Sequence, residues 1–314
     1  MTQSGRVVLK KHALRRRWMM AAFSLGRAIV QWLPLPLARG LGRLVGLIAY
    51  AFAGSQRRLT DQQLQQALGA AARPETDRRR IARGVFQHLG QTLLEWFVLD
   101  RCSPSRFAGL VQVHGLQHVQ QALADGRGAI GVSAHFGNWE VAPMVLAAHD
   151  VRGGVLARRL RYPEYQAFLW SMRRRKGVET FERGSLREVA RLLRANQMIG
   201  MLPDQDVESL EGIFVDFFGR PAYTPVGPAA LSLMTGAPIL PCFTIRQPRG
   251  FRVVIEAPIA IERTGDRLHD LAALTQAWSR VMESFIRRYP DQWAWMHRRW
   301  KTQPLSAVSP QQSA

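Results

Sequence analysis

The chain has 314 residues, 47% of them hydrophobic, which is enough for a substantial core and argues against disorder as the default state. Lysine and arginine number 43 against 23 aspartates and glutamates, and this formal charge of +20 favours polyanionic partners such as phosphorylated lipids, acidic proteins or nucleic acid over basic ones. Cys102 and Cys242 stand in unrelated segments, without the spacing of a disulfide framework or a zinc site, so a reducing compartment fits best.

Two apolar stretches open the chain, Trp18 to Leu33 and Leu35 to Ala53, interrupted by Arg27, Pro34, Pro36, Arg39 and Arg43. A bilayer crossing needs about 20 predominantly apolar residues, so neither is a clean span. The basic run Lys10, Lys11, Arg15, Arg16 and Arg17 before Trp18 has the character of a positive flank kept on the cytoplasmic side. Residues 1–55 are therefore expected to form a membrane anchor or interfacial helices, with a buried amphipathic helix as the alternative.

After Ser55 a polar, glutamine-rich helical run extends to about Ala72, and a soluble domain is expected over 56–305. Asp77 to Val98 reads as a helix, with Ile81, Val85, Leu89 and Leu93 on one stripe. Next come a short helix at His118 to Ala124, a turn at Asp125 to Gly128 and an apolar strand at Ala129 to Ala134. A strand ending near Val155, helices at Tyr165 to Arg175 and Leu186 to Ala195, and a strand at Met198 to Leu202 follow. The last elements are a helix at Pro228 to Met234, strands at Ile239 to Ile245 and Phe251 to Glu256, and a long helix at Arg267 to Tyr289. This alternation predicts an α/β fold, a mostly parallel central sheet flanked by helices, with ligands beyond the carboxyl ends of the strands. Only the tail 306–314 reads as disordered.

Ser133 to Glu140 lies where the predicted strand gives way to a helix. His135 at the strand end projects into the ligand crevice, Gly137 permits a tight turn, and Asn138 suits the cap of a helix beginning at Trp139. Glu140 in the first turn is expected to reach back to the imidazole, fixing its tautomer and stabilising the imidazolium formed when His135 takes a proton from a hydroxyl. That pair suits O-acylation, in which the acceptor hydroxyl is the nucleophile. The bland alternative is a loop histidine followed by a carboxylate that complements the helix dipole. Asp204 and Gln205 follow the strand Met198 to Leu202 and so face the same crevice as candidate substrate-binding residues, Asp204 orienting Arg173 or the acceptor sugar, unless Pro203-Asp204 only opens a turn. His114 and His118 are four residues apart, but no third ligand accompanies them and no metal is expected.

Five segments, in order, resemble the bacterial lipid A biosynthesis acyltransferases, a branch of the lysophospholipid acyltransferase superfamily marked by histidine, four residues, then an acid. They are His135 to Glu140; Pro203-Asp204-Gln205; Phe217 to Pro221 with Thr224; Thr235-Gly236-Ala237; and Trp293 to Lys301. The resemblance implies transfer of a fatty acyl chain from acyl carrier protein to a hydroxyl of a phosphorylated glucosamine lipid, with His135 and Glu140 as the catalytic pair. It also implies that Arg158 and Arg173 bind phosphate of the acceptor. Arg159-Leu160-Arg161-Tyr162-Pro163 departs from the family wording and leaves the acceptor more open than the chemistry. An acceptor of another lipid class, with coenzyme A as donor, is the alternative.

Phe217, Phe218 and Tyr223 are candidates for an acyl channel or for ordinary core. The aromatic and basic residues from Trp293 to Lys301 suit either a headgroup-level surface or packing on the sheet. The implied setting is the cytoplasmic face of an anionic inner membrane, with no cofactor. The arginine clusters come without any nucleic-acid-binding motif, so no nucleic acid partner is expected.

Overall fold

The computed structural model describes residues 20–69, 75–182 and 186–304. The basic run from Lys10 to Arg17, Trp18, the end of the glutamine-rich run and the tail 306–314 lie outside the described residues.

The N-terminal helices are α1 (Met20–Val30), α2 (Leu35–Phe52), α3 (Gly54–Leu68), α4 (Glu75–Arg101) and α5 (Pro104–Ala108). Pro34 and Pro36 separate α1 from α2, because proline fits the first turn of a helix and not its interior. β1 (Val111–His114), α6 (Leu116–Ala124), β2 (Ala129–Val132), α7 (Val141–Ala148), β3 (Gly153–Ala157), α8 (Pro163–Arg175) and β4 (Glu179–Glu182) follow. Then come α9 (Leu186–Arg194), β5 (Met198–Met201), the hairpin β6 (Gly212–Phe217) and β7 (Arg220–Pro225), α10 (Gly227–Thr235), β8 (Ile239–Gln247), β9 (Gly250–Ile255) and α11 (Arg267–Arg288).

Seven strands form one sheet in the order β1-β9-β8-β2-β5-β3-β4, with every pair parallel except the β8–β9 hairpin. The expected mostly parallel α/β sheet is therefore what forms. Alternation along the strands feeds two cores. Ile130, Val132, Ile199 and Met201 join the α9, α10 and α11 side, whereas Ala129, Met198, Leu240 and Cys242 join the α4, α7 and α8 side.

α2 packs along α4 through glycines. A Cβ on Gly46 would sit 2.2 Å from the Phe86 carbonyl, and one on Gly90 would sit 2.2 Å from that of Gly42. Its opposite face leaves Leu37, Leu41, Leu44, Ile48 and Phe52 exposed, beside Leu25, Ile29 and Trp32 from α1 and the turn after it. With 18 residues, 28% of them buried, α2 is by length and composition a candidate membrane segment.

The β6–β7 hairpin was not legible in the sequence. Its two-residue turn places Phe218 at φ 59° and Gly219 at φ 72°, without the Asn-Gly or Asp-Gly pair that usually announces such a turn. The helix after β2 begins at Val141 rather than Trp139, and Asn138 does not cap it.

Candidate active site

The loop from Ser133 to Glu140 leaves the carboxyl end of β2, in the middle of the sheet, and is held by backbone on both flanks. Gly137 N–H donates to the Gln292 carbonyl at 2.8 Å, and Ala294 N–H donates to the His135 carbonyl at 3.0 Å. Gly137 has φ +57°, and a Cβ there would fall 1.6 Å from the Thr244 carbonyl oxygen, so only glycine fits this close approach.

The imidazole of His135 is bonded by Asp204 rather than by Glu140. His135 Nδ1 lies 2.8 Å from Asp204 Oδ1, while the second carboxylate oxygen accepts from His135 N–H at 2.8 Å and from the Trp293 indole at 3.0 Å. A carboxylate only accepts, so Nδ1 carries the proton and Nε2 is left as the basic nitrogen. Burial alone would lower the His135 pKa, but the charge and hydrogen bond of Asp204, helped by the charge of Glu140, raise it above the ordinary value. Burial likewise favours neutral Asp204, yet its histidine partners hold it well below the usual carboxylate range.

Glu140 faces the guanidinium of Arg173 instead, accepting from Nε at 2.7 Å and from Nη2 at 2.6 Å. The expected reach back to His135 fails because the carboxylate is nearly sealed from water, and a fork from the last turn of α8 satisfies both of its oxygens. The same pairing engages two of the donors that the resemblance implied would meet an acceptor phosphate. Arg158, at the carboxyl end of β3, is exposed.

Gln205 joins His135 to a residue that the sequence reading did not single out. Its amide nitrogen lies 2.9 Å from His297 Nε2, 3.3 Å from His135 Nδ1 and 3.5 Å from His135 Nε2. Burial, reinforced by the charges of His135 and Arg158 and opposed by Asp204, pushes the His297 pKa down to about 4, so its ring is neutral at pH 7. The only earlier signal was a histidine inside the tryptophan-rich segment. Most of that segment packs on the β6–β7 hairpin: Trp293, Trp295 and Trp300 are buried against Phe217 and Phe218, and Arg299 donates to the Tyr223 carbonyl and the Thr224 hydroxyl.

Beneath the loop lies a second buried network. Asn138 donates to Glu95 at 3.0 Å and accepts from Trp96 at 3.0 Å, which is why it is not free to cap α7. Glu95 also accepts from Arg39 of α2 at 2.6 Å and from Nε and Nη2 of Arg246 at 2.8 and 2.7 Å. Arg246 further donates to His88, whose other ring nitrogen meets the Gly137 carbonyl at 3.1 Å.

His135, Glu140, Arg158, Arg173, Gln205 and His297 all line one largely apolar cavity of about 900 Å³, near the upper end of the usual range for small-molecule sites. Phe217 and Phe218 are core residues, and Tyr223 spends its hydroxyl on the Leu210 carbonyl; none of the three lines this cavity. Such an arrangement suits proton abstraction from a hydroxyl held among hydrocarbon.

Comparison with known proteins agrees with this chemistry. A family model described as bacterial lipid A biosynthesis acyltransferase matches residues 8–302. The chain is 27% identical over 292 residues to a lipid A biosynthesis lauroyltransferase of Escherichia coli, covering 90% of each. It is 26% identical over 310 residues to the lipid A biosynthesis palmitoleoyltransferase of the same organism, covering 94% of this chain and 95% of the relative. A phosphatidylinositol mannoside acyltransferase of Mycobacterium tuberculosis is 33% identical over 195 residues, 60% of this chain and 59% of that one.

Proposed function

Because the chain belongs to the bacterial lipid A biosynthesis acyltransferase family, enzymes that acylate membrane lipids, we propose that it moves a fatty acyl chain from acyl carrier protein to a hydroxyl of a phosphorylated glucosamine lipid. The observation that carries this reading is His135 on the wall of a large apolar cavity, held through Nδ1 by buried Asp204. Nε2 takes the proton of the acceptor hydroxyl as its oxygen attacks the thioester carbonyl. The tetrahedral intermediate then collapses, the C–S bond breaks, and the leaving thiolate recovers the proton from His135. Asp204 stabilises the intervening imidazolium, and Glu140 adds a second negative charge nearby while it anchors Arg173. No serine or cysteine of the enzyme is acylated.

Arg158, exposed on the cavity wall, contacts the acceptor phosphate, and Gln205 positions the reacting groups beside the two histidines. Arg173 contributes to acceptor binding from within its pair with Glu140. The exposed apolar residues of α1 and α2 rest in the cytoplasmic leaflet of the inner membrane, where the positive charge of the chain favours anionic headgroups.

Mass spectrometry of the membrane lipids with and without the gene tests the reading. A lipid A lacking one ester-linked chain in the deletion strain is the expected result, and unchanged lipid A rejects the acceptor. The mannoside acyltransferase relative favours one second reading, a mannosylated glycerolipid as acceptor, and in that case the missing chain is found on such a lipid instead.

A further inference from the structure

The lining of the cavity comes from both faces of the sheet, to different depths. On the α9–α10 face, residues such as Val226, Gly227 and Pro228 belong to the turn and first residues entering α10. On the α7–α8 face the wall continues past Gly131 and Gly200 to Met198, the first residue of β5, and to Val151 and Val178, which precede β3 and β4. From Met201 to Met198 alone this is three residues, about 10 Å at the rise of a strand.

Gly131 and Gly200 pair directly across β2 and β5, and Gly200 also pairs with Val155 of β3. Their neighbours Ile130, Val132, Ile199 and Met201 point into the opposite core, so both glycines face this deep lobe. Neither has a positive φ, and glycine inside a strand weakens it, often marking a place that a ligand approaches closely. A Cβ on Gly131 would meet the Met198 methyl at 2.9 Å, so the flexible end of Met198 must move aside, and a Cβ on Gly200 would meet the Val155 side chain at 3.3 Å, a tight contact with a side chain rather than with backbone. Gly153 and Gly154 differ, because a Cβ there would strike backbone at about 2 Å.

We propose that the deep lobe holds the hydrocarbon chain of the acyl donor, and that Gly131 and Gly200 in its wall, with Met198 at its far end, set the chain length transferred. The inference rests on the acyl-transfer reading above. His135 stands where the reacting carbonyl must lie, and the lobe beyond it is walled by Leu146, Ala147, Phe168, Val178 and Met198, which select a chain without polar groups. The acceptor, with its phosphate at Arg158, occupies the shallower side.

The test measures kcat/KM for a graded series of saturated acyl thioesters with full-length parent, Gly200→Ala, Gly200→Val, Gly131→Ala and Met198→Ala. One methylene gained or lost in an apolar pocket changes kcat/KM by about 10–200-fold. Filling the glycine positions lowers the ratio of long-chain to short-chain kcat/KM by a factor in that range, and Met198→Ala raises it. Circular dichroism and thermal melting verify folding of each variant, and the alanine variants serve if Gly200→Val unfolds.

In parallel, calorimetry measures binding of the matching free fatty acids to His135→Ala with and without each substitution, so that the lobe is tested without turnover. The same chain-length ratio in parent and folded variants by both readouts overturns the proposal. A ratio that shifts only when acceptor chains are varied also overturns it. Shifted fatty acid binding in a protein that transfers no acyl group supports the lobe while rejecting the proposed reaction.

Discussion

Two fully buried carboxylates grip the same loop from opposite sides, and they do different work. Asp204 takes the ring and backbone of His135 and the Trp293 indole, whereas Glu95 takes the side chain of Asn138 together with Arg39 and Arg246. The partners of Glu95 include two guanidinium groups, and burial together with the charge of Arg246 holds the His88 pKa well below the ordinary value, so its ring is neutral. Asp204 instead bonds a titratable ring on the cavity wall. A buried carboxylate is thus structural or chemical according to whether its partner can exchange a proton with a substrate.

The largest effect expected is from His135→Ala, which removes the base and lowers kcat/KM by about 10²–10⁴-fold with little change in melting temperature. Near-parental turnover in the purified, folded variant would sink the chemical half of the comparison. Glu95→Gln should act in the opposite sense, on stability, because it leaves two guanidinium groups without their buried counter-charge. Breaking such a pair costs about 3–5 kcal/mol, read as a lower denaturant midpoint. A Glu95→Gln protein of parental stability would show that the network is not structural.

Asp204→Asn sharpens the contrast through pH. In the proposed general-base role His135 acts when neutral, so kcat/KM is expected to rise with pH through a pKa that Asp204 holds above the ordinary value. Removing that charge lowers the plateau and moves the acidic limb to lower pH. A limb that stays in place means that the measured ionisation is not His135. Glu140→Gln is expected to have the smallest effect on rate, a modest loss with a smaller movement of the limb in the same direction. It also weakens a charge-assisted pair, a contribution of about 1.5–3 kcal/mol. If Glu140→Gln matched His135→Ala in severity, Glu140 and not Asp204 would be the essential acid partner.

The elements longest in sequence were the easiest to read. α4 and α11 carry apolar stripes over many turns, and the predicted and observed spans differ by a few residues at most. Short pieces such as β4, of four residues with a half-exposed pattern, carry no comparable signal. In the site, the location of His135, Asp204 and Gln205 at strand ends follows from alternation and turns, and all three come together. The N-terminal segment was legible as apolar and interrupted. That one of its interruptions, Arg39, is a buried bond donor to Glu95 was not, since 56 residues separate the two.

Residue order alone decided the α/β plan, the histidine at a strand end and the acid five residues on, because these rest on local periodicity and turn chemistry. Only tertiary structure decided which acid holds which partner. Asp204 reaches His135 from 69 residues away and Arg173 reaches Glu140 from 33, and each pairing is set by the strand order and by the need of a buried carboxylate to satisfy both oxygens. Spacing along the chain brings Glu140 near the imidazole; it does not choose the direction in which the carboxylate faces.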